Sequence, residues 1–312
     1  MNAPIDTKRR RVLAAGAALA ATLPYLPRAA LAADVSIITR PIPHSGEPLP
    51  IVGIGTAIIF DFENDAEKFV ERSKVIQALI AGGGKLIDTA HAYGRAEDRL
   101  GDIVAKLGVR DKLFLATKYS FAQEKAAATE SFQNSLRRLQ TNRVDLMQAW
   151  NVRDEDYDFG LLREWKQQGL CRYVGMTTSN QRAYDAIGKV LVREKPDFFQ
   201  VNYSLGDREA EERLLPAAKD VGAAVLVNLP FGRNSLFRTA GKRPLPSFAA
   251  EFGATTWAQF FLKFILSHPA VTAVIPGTDR PEYMLDNLQA GRGLMPDAAM
   301  RKRIAQYWDT LG

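Results

Sequence analysis

The sequence predicts an α/β fold: a (β/α)8 TIM barrel with an N-terminal β-hairpin and an extra C-terminal helix. Three observations carry that prediction. Eight short apolar runs alternate with eight helical patterns, and such alternation implies a parallel sheet that closes on itself at this length. The carboxyl ends of the runs collect polar, aromatic and glycine residues, as a barrel mouth requires. The first run lacks the Gly-x-Gly-x-x-Gly turn of an open, doubly wound sheet. Gly53-Ile54-Gly55 has no third glycine, and no helix follows it directly.

In chain order, the first segment reads as an address. Lys8-Arg9-Arg10-Arg11 precedes an apolar run from Val12 to Leu26, and Ala30-Leu31-Ala32 supplies an A-x-A cleavage site. The paired arginines resemble a twin-arginine export signal. The run is broken by Gly16, Pro24 and Pro27 and is short for a membrane span. We therefore expect residues 1–32 to be cleaved after Ala32, with no stable membrane anchor afterwards. Residues 33–312 would form a single domain. The expected route is the twin-arginine translocon and the expected location the periplasm.

The chain holds 41 basic and 35 acidic residues; the leader carries five and one of them, leaving 36 against 34. The high isoelectric point thus comes mostly from the leader. It gives no argument for a nucleic-acid partner, and no aromatic-basic motif supplies one. Cys171 is the sole cysteine, so no intramolecular disulfide can form. His44, His91 and His268 lack metal-ligand spacing, and no metal site is expected.

Residues from Val35 to Pro50 contain prolines and a Ser45-Gly46 turn, and read as a β-hairpin lid. Strands are expected at 51–55, 85–88, 113–117, 144–149, 171–175, 197–201, 223–228 and 271–275. Helices are expected at 64–81, 95–107, 124–139, 156–168, 180–193, 207–221, 254–267 and 280–289, with a terminal one at 297–310. Gly82-Gly83-Gly84 reads as a helix stop.

The strand ends then read Gly55-Thr56, Asp88, Lys118, Trp150, Thr177-Thr178, Gln200 to Tyr203, Leu229-Pro230-Phe231 and Pro276-Gly277-Thr278. The stretch Asp88-Thr89-Ala90-His91-Ala92-Tyr93-Gly94 is central. It brings a carboxylate to one strand end and a phenol into the next loop, while Lys118 ends the neighbouring strand. Such a set can pass a proton to a carbonyl. The phenol donates, the ammonium favours its ionised form, and the acid holds the ammonium. A strand-end Asp can instead cap the following helix, and a Tyr can be wall.

With these segments in place the chain resembles the aldo-keto reductases over roughly residues 35–290. The carrying segments are Gly53 to Thr56, Asp88 to Gly94, Thr117-Lys118, Val144 to Gln148, Val174 to Thr177, Gln200 to Ser204, and Val274 to Thr278 followed by Asn287. The resemblance implies Tyr93 as general acid, tuned by Lys118 and Asp88. It implies a bound NADP(H), favoured over NAD(H), that carries the hydride while the protein orients it. The nicotinamide would stack on Tyr203, with its carboxamide held by Gln200 and by Thr178 or Ser179. Gly55 and Thr56 would border the cofactor. The loop from Phe231 through Gly232 and Arg233 to Leu236 would strap the pyrophosphate. Gly277, Thr278 and Arg280 would meet the 2′-phosphate, and Glu282 and Asn287 the adenine.

Two departures stand out. Family members usually carry a histidine five residues after Asp145, where this chain has Trp150. Indole donates one hydrogen bond but cannot shuttle a proton. His91, close by in sequence, is a candidate substitute. The phosphate segment has no lysine at 277 and has Tyr283 where many members have arginine, so it leans on Arg280. Phe60, Phe62, Tyr119, Phe121, Phe231, His91 and Trp150 are candidate walls of a substrate pocket, and Glu97 would begin a helix face or tether the adenine. The expected activity interconverts a small carbonyl compound and its alcohol. The alternative is a nucleotide-binding sensor or accessory protein with little turnover, an option that Trp150 keeps open.

Overall fold

A computed structural model describes residues 36–120 and 123–311. The leader and Phe121 lie outside the described residues. All eight expected strands form: β3 (Ile54–Gly55), β4 (Leu86–Asp88), β5 (Phe114–Ser120), β6 (Val144–Trp150), β7 (Cys171–Thr178), β8 (Phe198–Asn202), β9 (Ala224–Asn228) and β10 (Val271–Val274). They pair in parallel in sequence order. The ring closes where Gly53 N–H donates to Val274 O and Val274 N–H donates to Ile51 O, both at 2.9 Å. On its other side Gly53 permits a close approach to β4: a Cβ there would lie 2.6 Å from Leu86 O, closer than real contacts allow.

Residues alternate in and out along each strand. Leu86, Phe114, Ala116, Leu146, Tyr173, Phe198, Leu226 and Ala273 fill the barrel interior as one apolar cluster. The complementary set, including Ile87, Leu115, Met147, Val174, Phe199 and Val225, packs under the helices.

The helices follow the expected pattern with tighter ends. They are α1 (Ala66–Ala81), α2 (Ala96–Leu107), α3 (Lys125–Arg138), α4 (Gly160–Gln167), α5 (Tyr184–Glu194) and α6 (Leu214–Asp220). Then come α7 (Ser235–Ala240), α8 (Trp257–Leu266), α9 (Pro281–Gln289) and α10 (Ala298–Asp309). Asp65 caps α1 by accepting from Lys68 N–H, and Asp297 caps α10 by accepting from Met300 N–H. Pro281 occupies the first turn of α9, where its missing N–H costs nothing. The sequence reading did not anticipate α7, whose first residues belong to the loop expected to run to Leu236.

The hairpin forms from β1 (Thr39–Pro41) and β2 (Pro48–Pro50), but it is not a lid over the site. Its Ile42 and Leu49 are fully buried in the interior cluster with Phe114, Tyr173 and Phe198, at the amino ends of the strands. Those side chains are apolar because they plug the barrel's floor. The opposite end, at the strands' carboxyl termini, is the mouth.

Candidate active site

Above the apolar interior, one layer of the barrel is polar. Asp88, Lys118, Gln148 and Gln200 all point inward, as the pleat demands of residues two positions beyond Leu86, Ala116, Leu146 and Phe198. Asp88 is 2% exposed and Lys118 1%. Lys118 Nζ donates to Asp88 Oδ2 at 2.5 Å and to Thr89 O at 2.8 Å. Gln148 and Gln200 donate their amide N–H groups to Asp88 Oδ1 at 3.1 and 2.9 Å. A carboxylate this buried survives because donors meet both oxygens.

Lys118 Nζ lies 5.0 Å from the centroid of the Tyr93 ring. Burial acts against the lysine's charge, but Asp88 and then Tyr93 outweigh it and hold Lys118 above the ordinary lysine value. Carboxylate, ammonium and phenol thus meet as the sequence expects. Tyr93 is carried by a loop that turns at Gly94, φ +55°, where a Cβ would collide with the Asp61 carboxylate at 2.3 Å. Asp61 Oδ1 in turn accepts from Arg95 N–H at 2.9 Å, tying the Tyr93 loop to the β3–α1 loop.

Trp150 ends β6 edge-on to Tyr93, ring centroids 6.4 Å apart, and edge-on to His91 at 5.6 Å. His91 does not take over the missing imidazole's place. Its Nδ1 sits 2.9 Å from Lys118 O, so Nδ1 carries the proton and caps a β5 carbonyl beyond the end of β4. Burial lowers its pKa and keeps the ring neutral. The imidazole lines a depression of about 350 Å³ along α3, with Gln123, Asn134 and Arg138.

Several candidate residues face elsewhere. Tyr203 is 0% exposed. Its ring packs on Phe264 of α8 and on His268, and its hydroxyl bonds to Glu211 and Arg301. No face remains for a nicotinamide. Gln200 points in, so Tyr203, three residues on, points out. Tyr119 likewise follows inward Lys118 and packs outward on Trp165; burial pushes its phenol up to about 12. Phe60 is packed within the main core rather than lining a pocket, and Phe62 is buried with Arg99 over its ring at 5.8 Å. Phe231 is half-buried against Phe237 of α7. Glu97 is neither adenine tether nor exposed helix face: it is buried, accepting from Thr117 Oγ1 at 2.6 Å and from Arg138. Buried Thr178 spends its hydroxyl in a local turn with Asn180, 3.2 Å from its N–H, whereas Ser179 is exposed.

The remaining candidates cluster at the mouth. Gly55 pairs with Asp88 across the first two barrel strands. Thr56 N–H donates to Asp88 O at 2.9 Å. Leu229, Gly232, Arg233 and Asn234 all have positive φ, an unusual density of left-handed backbone. Arg233 and Arg280 have no carboxylate partner among the described residues, and Arg280 lies over the Tyr283 ring at 5.6 Å. Gly277 and Glu282 are exposed, while Thr278 and Asn287 are buried. Thr56 Oγ1, Thr89 Oγ1, Gln148 Oε1 and Asn228 Oδ1 are buried without a hydrogen-bond partner. Orphaned polar atoms of this kind ask for a ligand or water. Together with two unpaired guanidinium groups they fit a polar, anionic molecule such as a dinucleotide. Asn228 was missed in the sequence; it ends β9 two residues beyond inward Leu226, which strand phase alone reveals.

A model described as the aldo/keto reductase family matches residues 52–306. The aldo-keto reductase str7 of Strobilurus tenacellus is 25% identical over 311 residues, covering 82% of this chain and 92% of that protein. Among solved structures, an aldo-keto reductase from Klebsiella pneumoniae in complex with NADPH superposes with a TM-score of 0.72 at 23% identity, covering 88% of this chain and 95% of that one. The thermostable aldo-keto reductase Tm1743, in complex with the inhibitor epalrestat, gives 0.71 at 28% identity, over 88% of this chain and all of that one.

Proposed function

The chain belongs to the aldo/keto reductase family and is an NAD(P)H-dependent oxidoreductase; from that premise we propose that it interconverts an aldehyde or ketone and its alcohol, with Tyr93 as the proton-transferring acid and base. The observation that carries this reading is the buried Asp88–Lys118 pair with the Tyr93 ring 5.0 Å from the ammonium. Bound NADP(H), which solved structures of similar fold contain, would supply or take the hydride. Arg233 and Arg280 would meet its phosphates. Asn228, with its orphaned Oδ1, and exposed Ser179 would face the nicotinamide end in place of Tyr203. Two uncompensated guanidiniums favour the phosphorylated nucleotide over NAD(H).

In the reductive direction the Tyr93 O–H donates its proton to the carbonyl oxygen. Lys118 stabilises the phenolate left behind, and Asp88, held by two amides, keeps Lys118 charged and in place. In the oxidative direction the phenolate takes the alcohol proton back. The test is Tyr93→Phe, scored for both nucleotide binding and turnover on a panel of carbonyls. Unchanged turnover removes Tyr93 from the mechanism.

A second reading, a nucleotide-binding sensor with little turnover, rests on Trp150 and on His91 being committed to the Lys118 carbonyl. Absence of turnover by the parent on every carbonyl tried, with nucleotide still bound, favours that reading. Export is the further part of the proposal. Arg9-Arg10-Arg11 and Ala30-Leu31-Ala32 support a twin-arginine route to the periplasm. Replacing the three arginines by lysine is expected to leave precursor in the cytoplasm; mature protein in the periplasm at parental levels overturns it.

A further inference from the structure

Among the described residues with positive φ, Ile58 alone is β-branched, at φ +69°. A branched Cβ is at its worst in that region, where Gly, Asn or Asp sit readily. Strain of this kind persists only where surrounding contacts fix the backbone, and they do so here. The β3–α1 loop is pinned on both flanks: Arg72 Nε donates to Ile59 O at 2.8 Å, and Asp61 holds Arg95 N–H. The backbone turn is therefore accounted for, but the side chain is not. Ile58 is 84% exposed, the most exposed of the large apolar residues among those described. It contributes almost no packing to set against its strain.

The loop's surroundings say where that side chain stands. Asp61 and Gly94 join it to the loop that carries Tyr93. Arg72 Nη1 donates to Asp279 O at 2.6 Å, joining it to the β10–α9 loop. Ile58 is thus on the rim of the mouth, between the proton donor and the segment bearing Arg280. The nucleotide's phosphates match the guanidiniums, not an aliphatic group. The occupant that matches is the carbon skeleton of the carbonyl compound.

We propose that Ile58 is a specificity-determining residue: its side chain, held out over the rim, closes on the apolar flank of the substrate whose carbonyl meets Tyr93. This rests on the carbonyl-reductase reading above. Strain in the free protein is the cost of keeping an apolar contact ready for substrate.

The test uses the full mature chain with Ile58→Asn and Ile58→Gly, which suit a left-handed backbone. Three readouts are taken: melting temperature, NADPH affinity in the binary complex, and kcat and KM for benzaldehyde and for glyceraldehyde. Both variants are expected to melt higher by about 2–4 °C as strain is released, with NADPH affinity unchanged. KM for benzaldehyde should rise roughly fivefold at constant kcat, because the contact is the same in ground and transition states, while glyceraldehyde is unaffected. Unchanged KM for both aldehydes overturns the assignment, as does a weakened NADPH affinity with intact aldehyde KM, which would make Ile58 a cofactor contact. If the parent reduces neither aldehyde nor any other carbonyl, the function reading itself fails and takes this inference with it. Turnover by the parent with unaltered variants removes only the inference.

Discussion

At the floor of the barrel, Asp145 accepts from Arg110 at 3.0 Å, from Arg172 at 2.9 Å and from Leu115 N–H at 2.8 Å. At the mouth, Asp88 accepts from Lys118, Gln148 and Gln200. Both carboxylates are buried and both are saturated with donors. They differ in what surrounds them. Around Asp145 most charges answer one another: Arg172 also reaches Glu47, Lys85 pairs with Glu47, and a polar cavity of about 420 Å³ is lined by these groups together with Asp111, Lys112 and Arg143. Around Asp88 lie orphaned oxygens of Thr56, Thr89, Gln148 and Asn228, left-handed residues at 58, 229 and 232–234, and unpaired Arg233 and Arg280. Buried charge alone does not mark an active site. Unspent buried hydrogen-bonding capacity around Asp88 is what sets the mouth apart.

The largest expected effect tests the mouth. Tyr93→Phe should cut turnover by about 10²–10⁴-fold and leave NADPH affinity and melting temperature nearly unchanged, since Lys118 keeps its bonds to Asp88 and Thr89. A large fall in stability instead would make Tyr93 structural, and the two ends alike.

The next two test the floor. Asp145→Asn removes the charge shared by Arg110 and Arg172 and is expected to cost about 2 kcal/mol, less than a fully buried pair because both arginines reach solvent. Melting temperature should drop by roughly 4–8 °C, with kcat/KM at 25 °C unaltered. A matching loss of activity in the folded protein would show that the floor communicates with the mouth.

His268, on the α8–β10 connection, provides a pH handle at the same end. Its Nδ1 accepts from Ala270 N–H at 3.2 Å. Burial, with Arg301 nearby, pushes its pKa down to about 4. The unfolded chain, at about 6.5, binds a proton first as pH falls. The stability contributed by the neutral ring is therefore complete above pH 6.5 and disappears on descending toward 4. Between pH 7 and pH 5 the loss should be about 2 kcal/mol beyond that of His268→Gln, measured by urea unfolding. Parallel pH profiles for parent and variant would remove His268 as the cause.

How far such differences could be read from sequence depends on the kind of signal. Strands and the Asp88–Tyr93–Lys118 set were legible because apolar runs have clear ends and barrel chemistry gathers there. Strand phase was the weak point. Tyr203 and Tyr119 are at the right height on the wrong face, since a shift of one residue exchanges inside for outside. Counting by twos from Gln200 and Lys118 would have excluded both and, from Leu226, would have found Asn228. The hairpin was legible as a hairpin but not as a floor, because a ribbon bearing Ile42 and Leu49 suits either end of a barrel. Nothing in the residue types predicts a left-handed Ile58, in a loop held from outside by Arg72 and Arg95.

The smallest effect sharpens the mouth itself. Trp150→His should raise rates on small polar aldehydes severalfold and weaken binding of flat apolar ones by a similar factor, about 1 kcal/mol each way. Equal kinetics for both variants on both substrates would reduce the indole to wall.

The plug formed by Ile42 and Leu49 also bears on traffic. Among the described residues the lower end is sealed by fully buried apolar side chains, so the polar layer is reached from the mouth. Nucleotide and carbonyl compound must queue at it. Whichever lies deeper enters first and is the last to leave, so the steady-state rate law should carry a compulsory order, and an excess of the outer ligand should slow the departure of the inner one.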